Sequence, residues 1–145
     1  MNNPFFTRVH EALKQCPRLR AMRVLEDHYD PISFGNAVVV LEGENIRIRF
    51  VNDRDEVHVD VSRRIPPENW TIVQRSLRAI TRKTGPLDGL LDLEEAADLL
   101  ESNLEILEEG YASKNLEKTE EQLQWLDAQA KRHFMRSTEP RKKND

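Results

Sequence analysis

The stretch from Ala37 to Val61, AVVVLEGENIRIRFVNDRDEVHVDV, decides the fold class of this chain. Its apolar and polar residues alternate with period two, which places one set of side chains on each face of a strand. The apolar set is Ile46, Ile48, Phe50, Val57, Val59 and Val61. The stretch therefore predicts an antiparallel β-meander with one apolar face and strands at about 38–41, 46–51 and 57–61.

The turn over residues 52–56 sets the expected register of the second hairpin. Strands that end at this turn face each other directly, and side chains on one face then form cross-strand pairs. The expected pairs are Phe50 with Val57, Arg49 with His58, and Arg47 with Asp60. The arginine-bearing face is expected to be partly covered, because three valines (Val38, Val40 and Val51) fall on it.

Helical periodicity flanks the meander on its N-terminal side and directly after it. Apolar residues at three- and four-residue spacing predict a helix over about 4–15 and another over about 67–82, with Trp70 on the apolar stripe of the second. The segment 19–26 fits neither period cleanly, and we interpret it as a strand that leads into a loop over 27–36.

Two further helices are predicted in the C-terminal third. Asp92 and Glu95 have the spacing of a capping box, and leucines recur at 93, 100, 104 and 107 before Gly110 ends the helix. A second apolar stripe begins at Leu116, and the short turn between the two predicts an antiparallel helical hairpin. We therefore expect a single α+β domain over residues 1–136: a three- to four-stranded meander with an N-terminal helix, a central helix and this hairpin. The polar tail 137–145 is expected to be disordered.

Composition excludes several classes of function. The chain has 145 residues, 33% of them charged, and a formal net charge of -4. This charge does not favour binding to nucleic acid, which needs a clustered basic face, and the arginines of the meander lack interleaved aromatic rings. One cysteine, Cys16, forms neither an internal disulfide nor a cysteine metal cage. No apolar segment has the length of a membrane span or a secretion signal, so we expect a cytoplasmic protein.

The search for catalytic chemistry yields one weak cluster. The sequence has no glycine-rich phosphate loop, no serine nucleophile elbow and no paired-histidine zinc helix. Asp53, Asp55, His58 and Asp60 could together serve a metal-dependent hydrolase. The first two are also common turn residues, and the last two are outward positions of an amphipathic strand. We therefore expect no catalytic residue, no metal and no cofactor.

The predicted helix over 92–109 has the most biased surface. It contains no basic residue, although like charges four residues apart destabilise a helix. Its expected partner-binding residues are Asp92, Glu94, Glu95, Asp98, Glu101, Glu105 and Glu108. Either an external basic protein neutralises them, or basic residues of the next helix do so internally: Lys114, Lys118, Lys131 and Arg132.

The run SFGNAVVVLEGENIRIRFVNDRDEVHVDVS, followed by Pro-Pro-Glu-Asn-Trp, resembles small bacterial immunity proteins of polymorphic or contact-dependent toxin systems. The resemblance covers roughly residues 30–80 and lies in Phe34-Gly35-Asn36, the strand ending in Phe50-Val51, the Asp53-Arg54 turn and the strand 57–61. It implies a non-enzyme that binds one cognate toxin, and it brings no catalytic residue with it.

The leading expectation is thus a cytosolic immunity protein that binds a basic toxin domain through the acidic helix. The second choice of binding residues is Arg47, Arg49, Asp53 and Asp55. The alternative is a regulatory or structural module that forms a homodimer through its C-terminal hairpin, with the Leu93, Leu100 and Leu107 stripe partly exposed. We expect the protein to bind neither a membrane nor nucleic acid.

Overall fold

The computed structural model describes residues 4–30, 36–54, 56–83 and 91–138. In chain order the elements are α1 (Pro4–Lys14), α2 (Pro17–Arg20), β1 (Arg23–Asp30), β2 (Asn36–Glu42), β3 (Ile46–Asp53), β4 (Glu56–Arg63), β5 (Thr71–Ile72), α3 (Val73–Thr81), α4 (Leu93–Gly110) and α5 (Leu116–Thr138). None of the described helices combines the length and apolarity needed to cross a membrane.

The strands form one antiparallel meander in the order β1-β2-β3-β4-β5. Its inner face contributes Ile46, Ile48, Phe50 and Val61, which are fully buried, to a core shared with the helices. The predicted α+β class is confirmed, and the sheet has a fifth strand of two residues, β5. Val40, on the opposite or outer face, does not belong to that core cluster.

The predicted register between β3 and β4 is wrong by two residues. Phe50 lies opposite Val59 instead of Val57, and Arg49 lies opposite Asp60. Both strands continue into the expected five-residue turn until Asp53 pairs with Glu56, and Arg54 adopts the left-handed conformation (φ 51°) between them. A shift of two leaves every side chain on its predicted face, because strand faces alternate with period two.

Three predicted element boundaries are also wrong. The segment 19–26 is not one strand: Pro17 starts the short helix α2 and fixes the first helical φ, and β1 begins only at Arg23. This strand extends through Asp30 into the expected loop; residues 31–35, with Phe34-Gly35, lie outside the described residues. The helix expected from 67 begins at Val73, because the preceding chain pairs with β4 as β5.

The last two helices follow one another as predicted, and α3 is the element that each of them contacts most. The junction between α4 and α5 packs closely against α3. Gly110 has no room for a side chain, since a Cβ there would overlap Ile80, and the buried Tyr111 hydroxyl lies 3.1 Å from Ser76 Oγ. The Thr119 hydroxyl donates to the Gly110 carbonyl at 2.6 Å and closes the turn. Residues 137 and 138, which were expected in the disordered tail, belong to α5; the rest of that segment, 139–145, lies outside the described residues.

Gly110→Ala is expected to destabilise the fold, because the new methyl group overlaps Ile80. Overpacking costs about 1–3 kcal/mol, more than the helix-propensity gain of at most about 1 kcal/mol. In an Ile80→Ala background the overlap is gone, so the same substitution should become stabilising. Urea unfolding of the four proteins measures this reversal of sign; stabilisation by Gly110→Ala in the wild-type background would contradict the packing described.

Candidate functional site

The acidic helix α4 contacts the N-terminal half of the chain through a repeated Leu-Glu pair. The pair occurs at 93–94, 100–101 and 107–108, once every seven residues. Seven residues are nearly two turns of a regular helix and about 10.5 Å of rise, so successive repeats are expected to face in almost the same direction. Between the second and third repeats α4 is kinked at Asn103, which has non-helical backbone angles (φ -121°, ψ 16°). All three leucines are fully buried, and each glutamate meets a different element.

Glu94 holds helix α1. Its carboxylate accepts two hydrogen bonds of 2.8 Å from the Arg8 guanidinium, a bidentate pair. These bonds lower the pKa of Glu94 to about 2. The two side chains are 42% and 51% exposed, so solvent screens the interaction and its contribution to stability is small.

Glu101 caps helix α2. The carboxylate accepts from the backbone N–H of Arg18 at 2.7 Å and of Leu19 at 3.2 Å. These two groups belong to the first turn of α2, where a helix leaves its amides without internal partners. The Cys16 side chain at the N-cap makes no capping hydrogen bond to α2, and Pro17 has no N–H. Glu101, which is 82 positions from Leu19 in the sequence, therefore takes the place of a capping side chain.

Glu108 holds the turn between β2 and β3. It accepts from the Asn45 backbone N–H at 2.7 Å, and the Asn45 amide side chain donates to the Glu108 carbonyl at 3.1 Å. A Cβ at Gly43 would overlap the Glu108 carboxylate, so this glycine leaves the space that the contact needs. Burial raises the pKa of Glu108 in spite of these hydrogen bonds.

Five of the seven predicted binding residues on this helix thus make contacts within the chain. Asp92 and Glu95 form the predicted capping box, with the Glu95 N–H donating to Asp92 Oδ1 at 2.8 Å. Asp98 and Glu105 make no hydrogen bond or ion pair with another described residue. Of the four basic residues expected to answer the helix, Lys114 lies 3.5 Å from Glu109. Within the chain, the acids of α4 contact mostly α1, α2 and the turn between β2 and β3.

The outer face of the sheet carries a second set of interactions, the outer-face network. Arg49 lies over the Trp70 ring at 4.5 Å and donates to Asp60 at 2.7 Å. The Trp70 indole N–H donates to Glu68, which also accepts from Arg47 at 2.6 Å. Arg47 then donates to Glu42 at 3.0 Å, and Arg64 lies 3.5 Å from the same carboxylate. The network contains three arginines and three carboxylates, so its formal charge is zero.

The helical pattern in the sequence predicted the wrong position for Trp70, a member of this network. It was expected on the apolar stripe of a helix, and it lies beside Arg49 just before β5. Ile72, opposite Asp60 in the β4–β5 ladder, shares the outer face and is 40% exposed. The outer face therefore combines an aromatic ring, arginines and an exposed aliphatic side chain.

The four residues of the possible metal cluster have other surroundings. Asp60 is paired with Arg49, and His58 Nε2 lies 3.6 Å from a Glu56 carboxylate oxygen. Asp53 is exposed at the hairpin tip, and Asp55 lies outside the described residues. Within the described ranges, no group of three or more His, Cys, Asp or Glu residues could hold a metal ion.

The stripe expected to mediate dimerisation is not exposed. Leu93, Leu100 and Leu107 have 0% exposure in the single chain, so they are not available to a second copy. The large apolar side chains of α4 and of the described part of α5 that are exposed to solvent are Ile106 at 40% and Trp125 at 55%.

A cleft of about 450 Å³ lies where α3 ends, between α4 and the start of α5. Its lining includes Ile80, Arg82, Ile106 and Lys118. Cys16 lies in neither the cleft lining nor the outer-face network. It is fully buried, and burial raises the pKa of its thiol. Neither feature adds a reactive group to the outer face.

Comparison with protein-family models gives no match, and neither does comparison with curated proteins or with solved structures.

Glu108→Gln and Glu94→Gln are expected to change the pH dependence of stability in opposite directions. The folded pKa of Glu108 is raised, so wild-type stability falls as pH rises through it, and the variant lacks this fall. The folded pKa of Glu94 is lowered to about 2 from 4.5, so its contribution is present above 4.5 and is lost as pH falls toward 2. The Glu94→Gln variant therefore does not lose this contribution to stability as pH falls.

Urea unfolding of the two variants and the wild type at several pH values measures both slopes. The Glu94 effect is expected to be the smaller one, because its ion pair is half exposed. Variant and wild-type profiles that run parallel would show that neither carboxylate has the environment described.

Proposed function

We propose that this chain is a non-enzymatic protein-binding domain whose binding surface is the outer face of the sheet. The observation that carries the proposal is the stack of Arg49 on Trp70, beside the exposed Ile72. Tryptophan and arginine are the residue types that most often dominate the energy of protein interfaces. A partner protein that covers the exposed Ile72 side chain would remove its apolar surface from water.

The outer-face network supports this proposal because its side chains are already held in place. Arg49 is fixed by Asp60 and the Trp70 ring, and Arg47 is fixed between Glu42 and Glu68. Side chains that are ordered before binding lose less conformational entropy when a partner arrives. The Arg47 and Arg49 side chains still have 19% and 31% of their surface exposed, which leaves area for contact.

The resemblance to bacterial immunity proteins makes the proposal more specific, because it falls on the same strands. In this form the partner is a cognate toxin domain, and the chain acts in the cytosol by covering a surface that the toxin needs. Arg47 and Arg49 are the binding residues, with Asp53 at the adjoining hairpin tip. Asp55, the fourth residue of this set, lies outside the described residues. The network itself is neutral, so attraction to a basic toxin would come from the net charge of -4 and from exposed acids such as Asp98 and Glu105.

The test is binding to the protein encoded beside this gene, measured by calorimetry with Ile72→Asp and Ile106→Asp. Both isoleucines are 40% exposed, so the substitutions are matched in chemistry and in exposure, but Ile106 lies on α4. Burial of a charge in the interface is expected to weaken binding by Ile72→Asp at least about tenfold, which is about 1.4 kcal/mol. Ile106→Asp should bind like the wild type.

Two results would contradict the proposal. If the neighbouring product is a toxin and does not bind the wild-type chain, the immunity function is wrong. If it binds and Ile72→Asp has the same affinity as Ile106→Asp, the outer face is not the surface. In that case reversal of charge at Asp98 and Glu105 tests the acidic helix as the remaining surface.

A further inference from the structure

Helix α5 presents a stripe of exposed residues on the side opposite its packed face. Leu123 is 3% exposed and faces the core, and Thr119 is buried one turn earlier. Glu121, Trp125, Ala128 and Arg132 are all exposed. At 100° per residue, these four lie within about 60° of one another and directly opposite Leu123. We call them the α5 stripe.

The α5 stripe has the spacing of a helix-pairing surface. Its members are separated by four, three and four residues, the spacing by which one helix packs along another. Trp125 is 55% exposed, which is a large apolar side chain to leave in water. Neither Glu121 nor Arg132 makes an ion pair with another described residue, whereas Glu120 and Asp127 on the flanks pair with Arg63 and Arg75 at 2.7 Å.

The order of chemistry along the stripe makes it complementary to itself. The sequence of types is acid, large ring, small residue, base. When a second α5 runs antiparallel, Glu121 of one copy faces Arg132 of the other, and Trp125 faces Ala128. Each contact occurs twice about the two-fold axis, so two rings cover two small residues and two ion pairs form. A parallel arrangement would instead place acid against acid and base against base.

The helix also has the length to pair beyond the body of the domain. It has 23 residues, or about 34 Å, but its main support α3 has nine, or about 13 Å. Ala130, Lys131 and Arg132 are exposed where α5 extends past that support. This part of the α5 stripe is therefore open to a second copy as far as the described residues go.

We propose that this chain forms a two-fold homodimer through antiparallel pairing of the α5 stripe. The dimer leaves the outer face of the sheet unused, so this inference is independent of the protein-binding function proposed above. Its contacts also differ from the buried leucine stripe of α4.

Sedimentation velocity over a range of concentrations tests the proposal with a charge swap. Glu121→Arg alone places arginine opposite Arg132 twice, and Arg132→Glu alone places glutamate opposite Glu121 twice. Each is expected to weaken self-association about tenfold or more. An equimolar mixture of the two variants restores both ion pairs, so a heterodimer of wild-type affinity is expected. Glu105→Arg makes the same charge change on α4 and should dimerise like the wild type.

Recovery in the mixture also shows that both variants are folded, so loss of fold is not confused with loss of the interface. A wild-type chain that stays monomeric at the highest concentration measured overturns the proposal. So does a dimer that both single variants leave unchanged, or one that the mixture fails to restore.

Discussion

The seven-residue Leu-Glu repeat of α4 is the constraint on which the rest of the structure depends. The leucines bury α4 against the core, and that burial carries each following glutamate to a fixed place along the N-terminal half. There Glu94 meets a guanidinium, and Glu101 and Glu108 meet backbone amides. Amides at a helix start and in a tight turn have no partner of their own, so an acid from α4 satisfies groups that would otherwise need water. One helix thus positions α1, α2 and the β2–β3 turn.

This use of the acids changes which surfaces are open to other molecules. The segment 92–109, with eight acidic residues and no basic one, suggests a charged docking face, but Glu94, Glu101 and Glu108 contact other elements of the chain. The outer face of the sheet and the α5 stripe are different, because Ile72 and Trp125 remain exposed after the chain has folded. Each surface contains a large apolar side chain and arginine, and the two surfaces lie on different elements. The two surfaces that we propose, one for a partner protein and one for a second copy of the chain, are therefore separate.

The parts of this fold that sequence predicts are those set by local patterns. Alternation from Ile46 to Val61 predicts the two faces of the meander, and the spacing of Asp92 and Glu95 predicts the start of α4. Pairings set by distant residues were not predicted. Strand faces are unchanged by a shift of two, so periodicity could not choose between Val57 and Val59 as the partner of Phe50. Likewise, no local signal places Glu101 at Arg18, or Trp70 under Arg49 in place of a helix stripe. The Leu-Glu repeat and Gly43 are signals that could have suggested an inward role for the acids.

Hydrogen exchange of individual amides tests the central role of α4 most directly. In the wild-type chain the Arg18, Leu19 and Asn45 amides are expected to be protected, because Glu101 and Glu108 accept from them. Glu101→Ala should then accelerate exchange at Arg18 and Leu19 and leave Asn45 protected, and Glu108→Ala should do the reverse. Amides that exchange freely in the wild type, or that respond equally to both variants, would contradict the account in which these carboxylates hold separate elements in place.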